Sequence, residues 1–207
     1  MKKIIFIDWY ETYSFSKIWG HLETENPSLY HQMQHLIFNN SALVNDWMRG
    51  NTRFCNICHY LEENGINRLT TQTEFMRGLS LIQPASPLFL PILMSLKSKG
   101  YQLYIATDNF DIFGAYMYPY AHLEQVFNGY ISSAEEGVLK EDLGADGKPV
   151  FFKNFLIKNK LTYKDCILID NDPSITALYK SCGMATFTPQ TPSETVSALH
   201  LILKNQL

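Results

Sequence analysis

Asp8, Thr107, Asp170 and one of two lysines, Lys148 or Lys140, supply two carboxylates, a hydroxyl and an ammonium at recurring places along the chain. Ile4-Ile5-Phe6-Ile7 runs into Asp8, Tyr101 to Ala106 into Thr107, and Cys166 to Ile169 into Asp170, with Asp172 two residues further on. Two carboxylates at neighbouring strand ends can hold a hard divalent cation such as magnesium, which keeps several waters and bridges to a phosphate oxygen. A hydroxyl and an ammonium can take the remaining phosphoryl oxygens. Each residue alone is as readily a turn cap or a solvated loop side chain. Their order, each at the edge of an apolar run, points to one shared site.

Such a set must be positioned by strands. The three apolar runs are short for helices and rich in β-formers, the pattern of strands covered on both faces. In an open parallel sheet, ligands bind beyond the carboxyl ends of the strands, where these polar residues fall. Between Thr12 and Ser86 the pattern is helical instead. Pro27 to Asn40 places Leu29, Met33, Leu36 and Ile37 at helical spacing, Ser41 to Met48 continues it, and Arg49-Gly50 ends it. Thr52 to Glu63 carries Phe54, Ile57, Cys58 and Leu61 on one face, and Thr71-Gln-Thr-Glu74 reads as a capping box leading into Phe75, Leu79 and Ile82. The expected fold is α/β: a Rossmann-like parallel sheet core from residues 1–13 and 86–207, with an inserted all-helical cap over 14–85.

Within the core, Ser86-Pro87 is expected to open a helix, Pro119 to interrupt or end one, and Lys148-Pro149 to open another. Ala185 to Thr188 reads as a last strand, and Thr191-Pro-Ser-Glu194 caps a C-terminal amphipathic helix. Bulk properties narrow the function classes. A net charge of -3, with scattered lysines, offers no field for nucleic acid. The first apolar run, cut off at once by Asp8, is neither a signal-peptide core nor a membrane span, so a cytoplasmic protein with reduced thiols is expected.

These motifs resemble those of the haloacid dehalogenase-like hydrolases, in the branch with a helical cap after the first motif. Asp8-Trp-Tyr-Glu-Thr12 is similar to the first motif, whose leading Asp is the family's nucleophile and forms a covalent aspartyl intermediate. Thr107 matches the hydroxyl of the second motif, and Asp170-Asn-Asp-Pro173 the fourth. The resemblance implies magnesium held by Asp8, the backbone carbonyl of Tyr10 and Asp170, with Asp172 as a candidate further acid. The third motif looks split between Ser133 to Lys140 and Lys148 to Phe152. Lys148 is preferred for its distance before Asp170, and Lys140 is the alternative.

Two departures bear on the chemistry. Tyr10 stands where the family's phosphatases place a second Asp that protonates the leaving group, and a phenol with a pKa of about 10 is a poor substitute. A halide needs no proton, and dehalogenating relatives are similar to this chain in having Tyr there. Asp108 follows Thr107 where the family often has Asn; it and Asn109 are candidate substrate-binding residues. Glu11 stands where family members commonly have glycine. Arg49 falls in the cap loop that faces substrate in relatives, or is a helix-end arginine favoured by the helix dipole. The resemblance thus implies a magnesium-dependent phosphohydrolase of a small phosphate ester. The alternatives are a metal-independent 2-haloacid dehalogenase and a weakly catalytic binding or regulatory module. Either enzyme acts on a small molecule, phosphorylated or halogenated, and needs neither nucleic acid nor a membrane. Cys55-Asn-Ile-Cys58-His59 matches a haem-attachment string, but Cys58 falls on the apolar helical face and reads as core.

Overall fold

The computed structural model describes residues 4–204; residues 1–3 and 205–207, assigned above to the core, lie outside the described residues. Its centre is a five-stranded parallel sheet of β1 (Ile4–Ile7), β2 (Gln102–Thr107), β3 (Gly129–Ser132), β4 (Cys166–Ile169) and β5 (Ala185–Phe187), in the order β3-β2-β1-β4-β5. All four β1 residues are buried, as the unbroken apolar run requires for a strand covered on both faces. Ile4 and Phe6 join a cluster with Phe151, Phe152, Leu168 and Tyr179, while Ile5 and Ile7 join the opposite one. Burying side chains of this size contributes about 1.5–3 kcal/mol each, so β1 is fixed from both faces.

Within residues 15–85 every described element is helical: Leu22–Glu25, Pro27–Met33 continuing as a wider turn over Gln34–Phe38, Ser41–Met48, Phe54–Glu63 and Arg68–Ser80. Trp19, Trp47, Phe54 and Phe75 of this insertion belong to the same apolar cluster as Ile5 and Ile7, so its inner face packs continuously onto one face of the sheet. No helix among the described residues is long and apolar enough to cross a membrane.

Three boundary expectations are corrected and one, at Pro119, holds. Asn67, whose side chain accepts from the Leu69 and Thr70 amides, caps the fifth of these helices, so Thr71–Glu74 lies inside it. Ser86 precedes a helix that starts only at Phe89, its hydroxyl accepting from Leu88 N–H. Pro119 lies in the last short helical turn, Tyr118–Tyr120, so the helical run from Phe113 ends one residue beyond it, as expected. Lys148-Pro149 opens no helix, because the next one begins at Lys153.

Candidate active site

The sheet order places the topological switch between β1 and β4, since the chain moves outward from β1 to β2 and β3 and then returns to the other side. Ile7 pairs with Ile105 and with Ile169, which sets Asp8 level with Asp170 and leaves Thr107 one residue beyond that line on β2. Asp8 N–H donates to Ile169 C=O at 2.8 Å, and Asp170 N–H to Phe187 C=O at 3.2 Å, extending both strands by one residue. Asp8, Thr107 and Asp170 are all buried.

The ammonium among them is Lys140. Its Nζ lies 2.5 Å from Asp8 Oδ1 and 2.7 Å from Asp170 Oδ2, with only 4% of the side chain exposed. The preference for Lys148 is corrected on placement: that residue is exposed, on a separate loop. Leu143 bridges Pro149, Gly144 N–H donates to Lys148 C=O at 2.8 Å, and Val150 N–H donates to Asp142 C=O at 3.0 Å. Residues 142–150 therefore fold back on themselves and carry Lys148 away from the sheet edge.

Lys140 is also held by its backbone. Its N–H donates to Asp108 Oδ1 at 3.0 Å and Oδ2 at 3.3 Å, and its carbonyl accepts from the buried Tyr179 hydroxyl at 2.9 Å. Asp108 thus anchors the lysine turn, which accounts for an acid beside Thr107, and it also lines the cavity beside Tyr10. Tyr179 was not foreseen, because a tyrosine at an apolar helical position carries no signal of a polar contact.

Electrostatics follow from two buried acids, Asp8 and Asp170, and the half-buried Asp108 around one ammonium. Burial pushes the Asp8 carboxyl up to about 7, against the pull of Lys140 and with Asp170 adding to the rise. Burial likewise raises Asp108, to about 6, with Lys140 opposing. Burial works against the Lys140 ammonium, and Asp170, Asp8 and Asp108 outweigh it, so the amine is pushed up and stays protonated. The cluster keeps a surplus of negative charge.

The other expected residues are distributed unequally. Asp172 turns away to cap the helix Pro173–Ser181, Oδ1 accepting from Ser174 N–H at 2.7 Å, and only its own N–H meets Asp170, at 3.0 Å. Among the described residues no group of three acidic, His or Cys side chains could hold a metal ion, so Asp172 is corrected as a third side-chain ligand. Arg49 is corrected as well: its guanidinium makes a bidentate ion pair with Asp142, Nη2 at 2.9 Å from Oδ1, and Nε donates to Asn45 Oδ1 at 3.1 Å. Gly50 holds the same loop close, since a Cβ there would meet Ala134 O at 2.1 Å. Glu11 adopts φ 60°, the left-handed turn for which relatives use glycine, at a cost of about 1 kcal/mol or more.

Tyr10 and Asn109 face a cavity of about 350 Å³ with Trp9, Asp108 and residues of the helical insertion. Lys17 Nζ lies 5.9 Å from the centre of the Tyr10 ring, and a hydrogen bond with Tyr10 holds its amine above the usual lysine range. Thr107 Oγ1 makes one long contact, 3.5 Å to Asp108 C=O, leaving its proton available to a ligand. Of the haem-like string, Cys58 is buried and Cys55 exposed, both free thiols.

Neither a family model nor a curated protein matches the sequence. Solved structures do match its fold. A predicted HAD-like family hydrolase from Porphyromonas gingivalis has a TM-score of 0.69 at 16% identity, covering 99% of this chain and 98% of that one. A HAD family enzyme from Bacteroides thetaiotaomicron, in complex with magnesium and inorganic phosphate, has a TM-score of 0.63 at 16% identity over 91% of this chain and 94% of its own. The L-2-haloacid dehalogenase from Xanthobacter autotrophicus, with chloropropionic acid covalently bound, has a TM-score of 0.60 at 14% identity over 90% and 76%. The chain has the α/β fold of the haloacid dehalogenase-like hydrolases.

Proposed function

We propose that the chain is a haloacid dehalogenase-like hydrolase with Asp8 as covalent nucleophile, acting with magnesium on a small phosphate ester, and with the helical segment 14–85 as its cap. The observation that carries this reading is Lys140 Nζ bridging Asp8 and Asp170, 2.5 and 2.7 Å away, at the switch point of the sheet. The residues present fit a small hard cation. Their surplus of buried carboxylates is the kind of charge such an ion relieves, and Asp8, Asp170 and the backbone carbonyl of Tyr10 are the groups that would hold it. When bound, magnesium neutralises charge on the phosphoryl oxygens as a Lewis acid.

The chain's own residues account for the remaining steps. Lys140, protonated and clamped through its backbone by Asp108 and Tyr179, keeps one Asp8 oxygen fixed and leaves the other free to attack phosphorus. The Thr107 hydroxyl donates to a phosphoryl oxygen. Attack forms an aspartyl phosphate as the ester oxygen departs, and water later hydrolyses that intermediate to regenerate Asp8. The departing alkoxide needs a proton, and the lack of a carboxyl at position 10 is expected to slow this step by roughly 10²- to 10⁴-fold.

That same residue favours a second reading. With Tyr10 in an aromatic-walled cavity, Asp8 could attack the carbon bearing a halogen in a short 2-haloacid, and halide leaves without a proton. One screen separates the two. Phosphate release from p-nitrophenyl phosphate that is lost in chelator and in Asp8→Asn supports the first. Halide release from 2-chloropropionate that is indifferent to chelator and lost in Asp8→Asn supports the second. A rise in melting temperature with phosphate or 2-chloropropionate, and no product from either ester or haloacid, would instead make the chain a binding module.

A further inference from the structure

The cavity beside Tyr10 has more definition than the hydrolase reading uses. Trp9 and Tyr10 directly follow Asp8, and Asp108 and Asn109 directly follow Thr107, so whatever fills the cavity lies against the two strand ends that carry the reacting groups. Tyr30 and Phe38 from the helical insertion complete an aromatic wall. About 350 Å³ is within the range of sites that take small organic molecules. Such a wall suits a flat or bulky apolar body, with Ser16, Gln34 and Asn109 as the polar side chains between the rings.

The charge of the wall is equally specific. Lys17 is its one cation, and none of the ion pairs among the described residues involves it. Its near neighbour is the Tyr10 phenol. The Trp9 indole Nε1–H is buried without an acceptor, on a residue that also lines the cavity. A buried donor left unpaired is costly unless a ligand or water reaches it. Asp108 is the lining carboxylate; both its oxygens accept from the Lys140 N–H, and the Lys140 ammonium opposes its charge.

We propose that this cavity selects an organic acid with an aromatic or comparably bulky apolar body, whose carboxylate pairs with Lys17 while the group to be hydrolysed meets Asp8. The last clause rests on the hydrolase reading; the selection by Lys17 and the aromatic wall does not. Lys17 is on this account a specificity residue. Tyr10, in place of an acid, forms part of the wall and presents the ammonium.

The test is calorimetric titration of the full chain with 3-phenylpropionate, its uncharged analogue 3-phenylpropanamide, and propionate. The phenyl acid is expected to bind roughly tenfold or more tightly than propionate through the apolar area it buries. It should also bind roughly three- to tenfold more tightly than the amide, the scale of an ion pair at a solvent-accessible mouth. Lys17→Met should erase the preference for acid over amide and leave amide affinity unchanged, while Lys17→Arg should keep it. Lys17 is exposed, so both variants should melt with the parent chain. Equal binding of acid and amide, a preference that survives Lys17→Met, or no binding of the phenyl acid at millimolar concentration overturns the proposal. Because binding is read without turnover, failure of every hydrolysis assay would count against the hydrolase reading alone.

Discussion

Lys140 and Arg49 are both cations that join segments far apart in sequence, one inside the carboxyl edge of the sheet and the other where the helical insertion meets the loop 139–142. Lys140 is 4% exposed and its partners Asp8 and Asp170 are 9% and 2% exposed, whereas Arg49 and Asp142 are each 25% exposed. The two bridges touch, because Asp142 Oδ2 also accepts from Leu139 N–H at 2.8 Å, beside the lysine. Burial separates their uses. The buried ammonium holds together charges that have no solvent to turn to. The guanidinium at the joint is screened and its charge is spent on Asp142, so its contribution lies in how the helical insertion meets the lysine turn.

Breaking the inner bridge should have the largest effect. Lys140→Met removes the ammonium and leaves Asp8 and Asp170 buried against each other, an expected loss of about 3–5 kcal/mol in urea unfolding with chelator present. Lys148→Ala, on the exposed loop, should stay within about 0.5 kcal/mol of the parent. A Lys140→Met chain as stable as Lys148→Ala, within about 0.5 kcal/mol of the parent, would mean that the inner bridge does not bear on stability.

The contrast between these lysines also marks what the sequence made legible. The strands ending at Asp8, Thr107 and Asp170 were readable because their unbroken apolar runs have one physical solution, a sheet covered on both faces. The helical character of 14–85 was readable from its periodicity. The choice of Lys140 over Lys148 was not, since spacing to Asp170 takes no account of the fold-back that bridges Leu143 to Pro149 and removes Lys148. The pairings of Asp108 and Arg49 were missed because their partners, Lys140 N–H and Asp142, are 32 and 93 residues away in sequence. Side-chain pairings across such distances leave no local pattern. The helix starting at Arg68 was displaced for a local reason, Asn67 capping it ahead of the threonines.

A smaller perturbation sharpens the view that the lysine is positioned through its backbone. Tyr179→Phe deletes the hydroxyl that donates to Lys140 C=O at 2.9 Å and leaves the packed ring in place. The expected cost is about 1 kcal/mol, the net worth of one buried hydrogen bond. If that bond also aims the ammonium, turnover should fall in kcat more than in KM, because the lysine acts on Asp8 rather than on the body of the substrate. A change confined to stability would reduce Tyr179 to a packing residue.

The outer bridge should give the smallest effect and the one most dependent on conditions. Arg49→Ala is expected to cost less than about 1 kcal/mol near neutral pH, as a partly exposed ion pair should, and less again in high salt. The hydrogen bond from Arg49 holds the Asp142 carboxyl below the usual carboxylate range. A group whose folded pKa is depressed contributes stability above its unfolded pKa, about 4 for an aspartate, and loses it as pH falls through the folded value. The difference between Arg49→Ala and the parent chain should therefore be full near neutral pH and shrink on acidification below about pH 4. If it stays constant in acid, the guanidinium acts through its bond to Asn45 and the packing of its stem, and the joint between the insertion and the lysine turn is not electrostatic.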